Sequence, residues 1–361
     1  MNLHVKQIDR YIVRQFIGTY LFAIALILAI SIVFDINEKI DKFLNPDVPL
    51  RAIVVDYYLN FIPYFANLFS PLFTFIAVIF FTSRLADRSE IIAMLAGGVS
   101  FRRLMAPYLF SAALIALATF LLNAYVIPPA NKSRIEFQNT YIRNKKVSNA
   151  SHVQIETEPG VIAYFDRYDA IAGMGYRFSL EHFQDKKLVS RLTANSIKYD
   201  SLYRWTIMDY AIRNFDGMHE RITHGSRCDT FLSIQPSDFL ISVNDCETLT
   251  TPQLADYIQR QQRRGIANIQ TFEIEYHKRF AGIMASFILT TIGVSLSSRK
   301  VKGGMGLNIG IGIALSFSYI LFTTLSTSFA VNGGVTPLVA AWLPNILYAL
   351  IAFALYLRAP R

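Results

Sequence analysis

The sequence of residues 16–34 is FIGTYLFAIALILAISIVF, a run of 19 residues without a charged side chain. A helix needs about 20 mainly apolar residues to cross roughly 30 Å of hydrocarbon. The run is longer than the apolar core of a cleavable signal peptide, and no A-x-A-like cleavage site follows it. We therefore predict a transmembrane helix that stays in the chain.

Comparable apolar runs occur at five other places, and charged residues make up only 17% of the chain. A soluble domain usually carries about 25% charged residues. In the second run Pro63 and Pro71 predict a kink or an interfacial start near Pro63. Residues 1–127 and 276–361 are expected to be membrane parts that flank a soluble domain at 128–275. The six predicted spans are approximately 14–34, 54–82, 104–126, 280–298, 306–329 and 336–357.

The short segments between these runs carry the charge that sets orientation. If six spans alternate, one side has 12 basic residues and only three acids, Asp9, Asp87 and Glu90. The positive-inside rule then predicts cytoplasmic termini and an extracytoplasmic 128–275 domain. The net charge of +9 therefore encodes topology and does not indicate nucleic-acid binding. The basic residues are Lys6, Arg10, Arg14, Arg84, Arg88, Arg102, Arg103, Arg299, Lys300, Lys302, Arg358 and Arg361.

The central domain has the pattern of a β protein. Residues 160–166 and 204–215 alternate apolar and polar side chains, which predicts short strands in a sandwich or open barrel. Residues 251–264 change to a helical period and predict an amphipathic helix. Cys228 and Cys246 both lie in this domain, where a disulfide is permitted if it is extracytoplasmic. Two thiols are the alternative, since spacing alone does not decide connectivity.

Motifs of catalysis are weak in this sequence. His219 and His224 are spaced i, i+5, which does not place two metal ligands on one helix face, so we predict a solvated turn and no metal. The glycines of 303–312 lack the Gly-Lys-Ser/Thr end of a phosphate-binding loop. Gly306 and Gly310 instead predict a small-residue face for close helix packing, with plain flexibility as the alternative. Energy for any active transport is therefore expected from a partner.

Residues 85–98 predict a short helix between the second and third spans. Ser89 is a candidate N-cap before Glu90, and Gly97 with Gly98 predicts the end. Such a helix docks in a partner's groove or lies on the membrane surface. The acid in a basic loop favours docking. The apolar stripe comprises Ile91, Ile92, Met94 and Leu95.

Basic residues also lie on the predicted outer side. Lys39 and Lys42 follow the first span, and Lys132 and Arg134 follow the third. Such groups bind phosphates or carboxylates of an anionic lipid headgroup. Alternatively they extend to the membrane interface or pair with nearby acids. Those acids are Asp35, Glu38, Asp41 and Glu136.

Taken together, these residues resemble the LptF/LptG permeases of lipopolysaccharide export. The resemblance covers the whole membrane portion and implies a membrane α plus β fold, with six transmembrane helices (3+3) and an inserted extracytoplasmic β-jellyroll-like domain. The opening Asp9-Arg10-Tyr11-Ile12 is similar to the LptG-like member. The segments that carry the resemblance are Ile8–Phe16, Ser89–Met94, Gly97–Ser100, Tyr276–Ala281, Ile292–Val294, Gly303–Gly304 and Ala341–Asn345.

The resemblance implies an inner-membrane permease of a Gram-negative bacterium that pairs with a second homologous permease. The pair would dock on a cytoplasmic ABC ATPase dimer, which binds the ATP, so no cofactor is expected on this chain. Lipopolysaccharide would pass from the membrane through the jellyroll to a periplasmic bridge, beside a single-helix accessory subunit. The residues implied in ATPase coupling are Glu90, Ile91, Met94, Leu95 and Gly97.

One departure from the family and two alternative functions remain. Family members can carry a basic residue inside the first helix, but residues 16–34 have none. We therefore expect Lys39 and Lys42 to contact the headgroup in its place. A permease of the same build for a lipoprotein or glycolipid is one alternative. A membrane-anchored scaffold is the other. Co-purification with an ATPase and the identity of the bound lipid discriminate among them.

Overall fold

The fold was analysed in a computed structural model, which describes residues 7–142, 149–169, 172–217, 219–239, 246–263, 269–299 and 304–359. The chain divides into two compact units. Residues 1–142 and 273–361 form the first, called here the helical unit. Residues 143–272 form the second, called here the sheet unit.

Six of the described helices are long and apolar enough to cross a membrane. Three precede the sheet unit in the chain and three follow it, which confirms the predicted class of fold. A short helix, α3, lies between the second and third long helices, and a further helix, α5, belongs to the sheet unit. The helices are α1 Gln7–Phe43, α2 Leu50–Asp87, α3 Glu90–Ala96, α4 Phe101–Ile142, α5 Thr251–Arg263, α6 Ile269–Ser297, α7 Gly304–Val331 and α8 Pro337–Leu357.

Several helices extend well beyond the predicted apolar spans. In α4 the chain stays helical past Pro128, where we expected the soluble domain to begin, so the sheet unit starts at residue 143. A π-helical segment, Leu122–Val126, comes just before Pro128 and Pro129. It places them in the first turn of the next α-helical segment, where a missing N–H is tolerated.

Helix α2 contains a second π-helical segment, Ile53–Tyr58. The amide of Asn60 donates to the carbonyls of Val55 (3.1 Å) and Asp56 (2.9 Å) and so satisfies acceptors that the wider turn leaves exposed. Pro63 and Pro71 lie inside the helix that follows. The segment contains Tyr57 and Tyr58, and π-bulges are frequent at functional sites.

Apolar clusters join the helices at the two ends of the helical unit. At the first, called here the basic end, Ile12 at the start of α1 packs with Leu85, Phe101, Val294 and Ala359. The start of α1, the end of α2, the start of α4 and the ends of α6 and α8 therefore lie together. At the second, called here the aromatic end, the rings cluster between α1, α2 and α4. They are Phe43, Tyr57, Phe61 and Phe137.

Buried hydrogen bonds join the last three long helices. The side-chain amide of Asn345 on α8 donates to the carbonyl of Ala281 on α6 (2.8 Å). Its oxygen accepts from the hydroxyl of Tyr319 on α7 (2.9 Å). Polar side chains stabilise helix pairs in this way where water is absent. The side chain of Asn345 thus connects α6, α7 and α8.

The sheet unit contains one six-stranded antiparallel sheet in which the described strands lie in chain order. This meander differs from the Greek-key crossovers of a standard jelly roll. Strands β2 and β5 cover the two segments whose alternation predicted strands. The strands are β1 Asn149–Glu158, β2 Val161–Asp169, β3 Met174–Gln184, β4 Lys187–Ser201, β5 Arg204–Asp216 and β6 His219–Phe231.

A line of irregular positions crosses all six strands. His152, Arg177 and Asp209 have positive φ angles of 56°, 49° and 50°. These residues and those opposite them are skipped in the strand pairing. Such irregularities bend strands and shift the alternation of faces. The core therefore takes Phe165 and then Tyr168 from β2, three residues apart. The six positions are His152, Asp166, Arg177, Asn195, Asp209 and Ser226.

The core of the sheet unit is aromatic. Trp205 is fully buried, and its indole N–H donates to the carbonyl of Ile234 (3.1 Å). The ring of Tyr168 stacks on Phe239 with 3.9 Å between centroids. Helix α5 begins at the predicted position, where the Gln253 side chain accepts from the backbone N–H of Thr250 (3.0 Å).

Candidate functional site

The short helix α3 is built by its flanking residues. Ser89 precedes it with a left-handed φ of 59°, and its side chain makes no capping hydrogen bond, contrary to our expectation. The predicted glycine end is present. The N–H of Gly98 donates to Leu95 (3.0 Å) and that of Val99 to Met94 (3.1 Å), as in a Schellman motif with Gly98 at positive φ.

The two faces of α3 differ from the predicted apolar stripe. Ile91 is fully buried in the cluster of the basic end, so its side chain does not reach a partner in this conformation. Met94 and Leu95 are partly buried against the same cluster. Ile92, by contrast, is 52% exposed, and Gly97 is exposed beside it. One face thus anchors the helix, and the opposite face presents Ile92 outward.

Glu90 lies at the start of α3 with partners from two other segments. The hydroxyl of Tyr11 on α1 donates to its carboxylate over 3.4 Å, and the guanidinium of Arg88 lies 4.0 Å away. Arg103 on α4 forms an ion pair with Asp9 on α1. The start of α1 is therefore linked to both α3 and α4.

Lys39 lies in a polar cluster at the aromatic end. It forms an ion pair with Asp35 one turn earlier and donates to the hydroxyl of Tyr57 (2.8 Å). The other oxygen of Asp35 accepts from Tyr58 (3.1 Å). We call these four residues the Lys39 cluster. Of the two alternatives for Lys39, the structure therefore contains the pairing with Asp35.

The other predicted headgroup residues have different surroundings. The guanidinium of Arg134 lies over the ring of Tyr64, 4.2 Å from its centroid, a cation–π contact. Lys42 and Lys132 are exposed. No ion pair of Lys42, Lys132 or Arg134 occurs within the described part of the chain. These three cations therefore keep charge available for an anion.

Glycines of the long helices fall into two groups. A Cβ added at Gly306 or Gly310 would meet no atom within 4 Å, so these residues border open space instead of packing within the chain. A Cβ at Gly293 would lie 2.7 Å from Val78, and one at Gly312 would lie 2.1 Å from Ile79. Close packing of α6 and α7 on α2 thus uses the latter pair. Gly303 lies outside the described residues.

The remaining predicted residues lie in the sheet unit. Cys228 on β6 and buried Cys246 are both thiols, with no disulfide between them. His219 and His224 lie on strand β6, not in the turn that we expected. No group of three or more potential metal ligands occurs among the described residues.

Sequence reasoning missed the tyrosines of the candidate sites. Tyr57, Tyr58 and Tyr64 belong to an aromatic series along α2, residues 57–73, with rings recurring every three or four positions. That spacing places them on one helix face, and it is the signal in the sequence that could have located them. Tyr11 gave no comparable signal, because its link to Glu90 joins residues 79 positions apart.

Six membrane-crossing helices divided equally around an inserted β domain define a multi-pass membrane protein with the architecture of a transporter permease. The family model of the lipopolysaccharide export system permease LptF/LptG matches residues 10–358. The chain therefore belongs to the LptF/LptG family. A search of curated proteins gave no match.

Family membership has direct consequences for function. The chain is an inner-membrane permease of lipopolysaccharide export, the membrane component of an ABC-type exporter. The family is one of transporter permeases and not of catalytic enzymes. The family model describes the LptF-like and the LptG-like permeases together.

Proposed function

We propose that this permease extracts lipopolysaccharide from the inner membrane and passes it to a periplasmic bridge, driven by a separate ABC ATPase that docks on α3. The two-faced burial of α3 is the observation that carries the proposal. Ile91 fixes the helix in the core, while Ile92 and part of Glu90 remain accessible. A docking helix needs both a rigid base and an exposed apolar anchor.

The same proposal places both termini and α3 in the cytoplasm and the sheet unit in the periplasm. Arginines concentrated at the basic end support this orientation under the positive-inside rule. Arg14, Arg88 and Arg102 are exposed there. ATP would bind to the partner, because the glycines after residue 303 lack a phosphate-binding lysine.

Substrate contact is proposed at the aromatic end. Lys42, Lys132 and Arg134 provide positive charge near aromatic rings, which suits a phosphorylated amphiphile. Lys39 contributes only if its pairing with Asp35 opens. The open surface around Gly306 and Gly310 on α7 suits close approach of another helix. We assign it to the second homologous permease, with a single-helix accessory subunit nearby. The LptG-like identity stays a prediction.

Site-specific photo-crosslinking tests the docking surface. A photoreactive residue at position 92 should crosslink the ATPase in native membranes. Leu121 is the matched control, since it is also an exposed apolar residue but lies about 30 Å along α4 from the basic end. Equal ATPase crosslinking from both positions, or none from position 92, would contradict the proposal.

Substitution of Glu90 tests coupling itself. Glu90→Lys should lower ATPase co-purification about tenfold and stop export, since it reverses the acidic charge of the docking helix. Glu38→Lys on α1 makes the same charge change at an exposed site and should leave ATPase co-purification unchanged. Normal export with Glu90→Lys would remove Glu90 from the mechanism.

A further inference from the structure

A groove of about 550 Å³ lies on the helical unit between α4, α6 and α8. None of its lining residues belongs to α3 or to the Lys39 cluster. On α4 its lining follows the spacing i, i+3, i+4, i+7, and on α8 it does the same, so each helix contributes one face. The lining residues are Arg102, Met105, Ala106, Leu109, Phe287, Ile288, Thr291, Ala349, Ala352, Phe353 and Tyr356.

The groove has the dimensions and surface of a hydrocarbon site. Seven residues of helix span about 10 Å, two thirds of one leaflet of a bilayer about 30 Å thick. Met105 and Ala352 form a buried floor, whereas Phe353 is 62% exposed at the edge. The groove therefore opens sideways along the helices, as a lipid tail requires.

The mouth of the groove lies at the basic end and carries unneutralised positive charge. Arg102 is exposed at the mouth, and Arg299 and Arg358 are exposed near the ends of α6 and α8. None of these three arginines has an ion pair within the ranges that the structure describes. The nearby Asp9 is already paired with Arg103.

The acids of the groove helices, Glu136, Glu273 and Glu275, lie at the ends of α4 and α6 that are far from these arginines. Residues 91–135 contain no Asp or Glu, and neither do residues 276–361. An anion must therefore come from outside these helices. In a membrane, basic sites between helices bind the headgroups of acidic lipids.

We propose that this groove binds an anionic glycerophospholipid from the leaflet on the basic side. Its phosphate would contact Arg102, and its tails would lie along Leu109, Ile288 and Phe353. A second protein helix fits less well, because it would cover Arg102 without supplying a compensating charge. The transported lipopolysaccharide also fits less well, because the proposed cargo residues lie at the opposite end of the bundle.

Such a lipid would act as a structural ligand of the last helix. The start of α4 and the end of α8 meet through Phe101 and Tyr356, whose centroids are 5.8 Å apart. A tail in the groove adds contacts between the same two helices and α6. The lipid therefore favours the packed arrangement by mass action.

Native mass spectrometry of the full chain, titrated with phosphatidylglycerol or phosphatidylcholine, tests the proposal. We expect phosphatidylglycerol to bind about tenfold more tightly. Arg102→Gln should remove that preference. Ala106→Trp should fill the groove and abolish the binding of both lipids. Arg10→Gln and Ala354→Trp are the matched controls, since both sites are exposed and neither lines the groove. Neither control should change lipid binding.

Three results would overturn the proposal. One is an equal effect of Arg102→Gln and Arg10→Gln. Another is wild-type lipid binding after tryptophan is placed in the groove. If Ala106→Trp does not fold, Ala349→Trp fills the same groove from α8 and gives the same decision. The third is displacement of phosphatidylglycerol by lipopolysaccharide through Arg102, which would make the groove a cargo site.

Discussion

Asp35 contacts all three other residues of the Lys39 cluster. Its carboxylate contacts Lys39, Tyr57 and Tyr58, and it belongs to a helix end that the apolar pattern alone did not predict. Hydrogen bonds to a charged group contribute about 1.5–3 kcal/mol each when they are not solvated. The contribution of the cluster to the stability of the fold therefore depends mainly on this carboxylate.

Asp35→Asn should lower the free energy of unfolding of the helical unit by about 2 kcal/mol, because it leaves Lys39 without its ion pair. Glu38→Gln is the matched control on the same helix. Its side chain is exposed, so we expect a change within about 0.5 kcal/mol. Denaturant midpoints of the purified chain measure both. Equal midpoints would mean that the cluster is not structural.

Tyr168 provides a pH test in the sheet unit. Its hydroxyl is buried without a hydrogen-bond partner among the described residues, and burial raises the pKa of Tyr168 from 10 to about 12. The protonated form is therefore favoured in the folded state. The resulting stability is fully present below pH 10 and is lost as the pH rises towards about 12.

Tyr168→Phe should leave stability at neutral pH unchanged or slightly higher, because the unsatisfied hydroxyl is removed while the stack on Phe239 remains. It should also reduce the loss of stability between pH 10 and about 12. Thermal unfolding followed across this range tests both statements. A variant as sensitive to alkali as the wild type would assign the sensitivity to other groups.

At the scale of the element, helix α6 packs closely on α2 at Gly293, where there is no side chain to separate the two helices. A Cβ at Gly293 would lie 2.7 Å from Val78 and 3.3 Å from Phe75, and both neighbours are fully buried. Overpacking of a dense core typically costs about 1–3 kcal/mol. The glycine therefore sets the distance between the two helices.

Gly293→Ala should lower the free energy of unfolding by about 1–3 kcal/mol, which is measured as a lower denaturant midpoint. Gly282→Ala, on the same helix, would place its Cβ in open space and should be neutral or mildly stabilising. The helix propensities of the two substitutions are matched, so the difference isolates packing. Equal midpoints would contradict the close approach of α6 and α2.

At the scale of the whole molecule, hydropathy and charge predicted the six helices and the inserted β domain. They did not predict the domain boundary, because the helical chain continues past Pro128 in α4. Residue patterns located α3 but assigned Ile91 to the docking face. That side chain is buried in a cluster that also contains Ile12 and Leu104, and such distant residues are not visible in a local pattern.

The most direct test of the central claim is affinity purification of the tagged chain from its native membrane, with mass spectrometry of proteins and lipids together. We predict an ABC ATPase, a second six-span permease and lipopolysaccharide. An ATPase found with a different amphiphile would contradict the substrate that we propose. Recovery of the folded chain with neither an ATPase nor lipopolysaccharide would contradict its role as an ATPase-driven exporter.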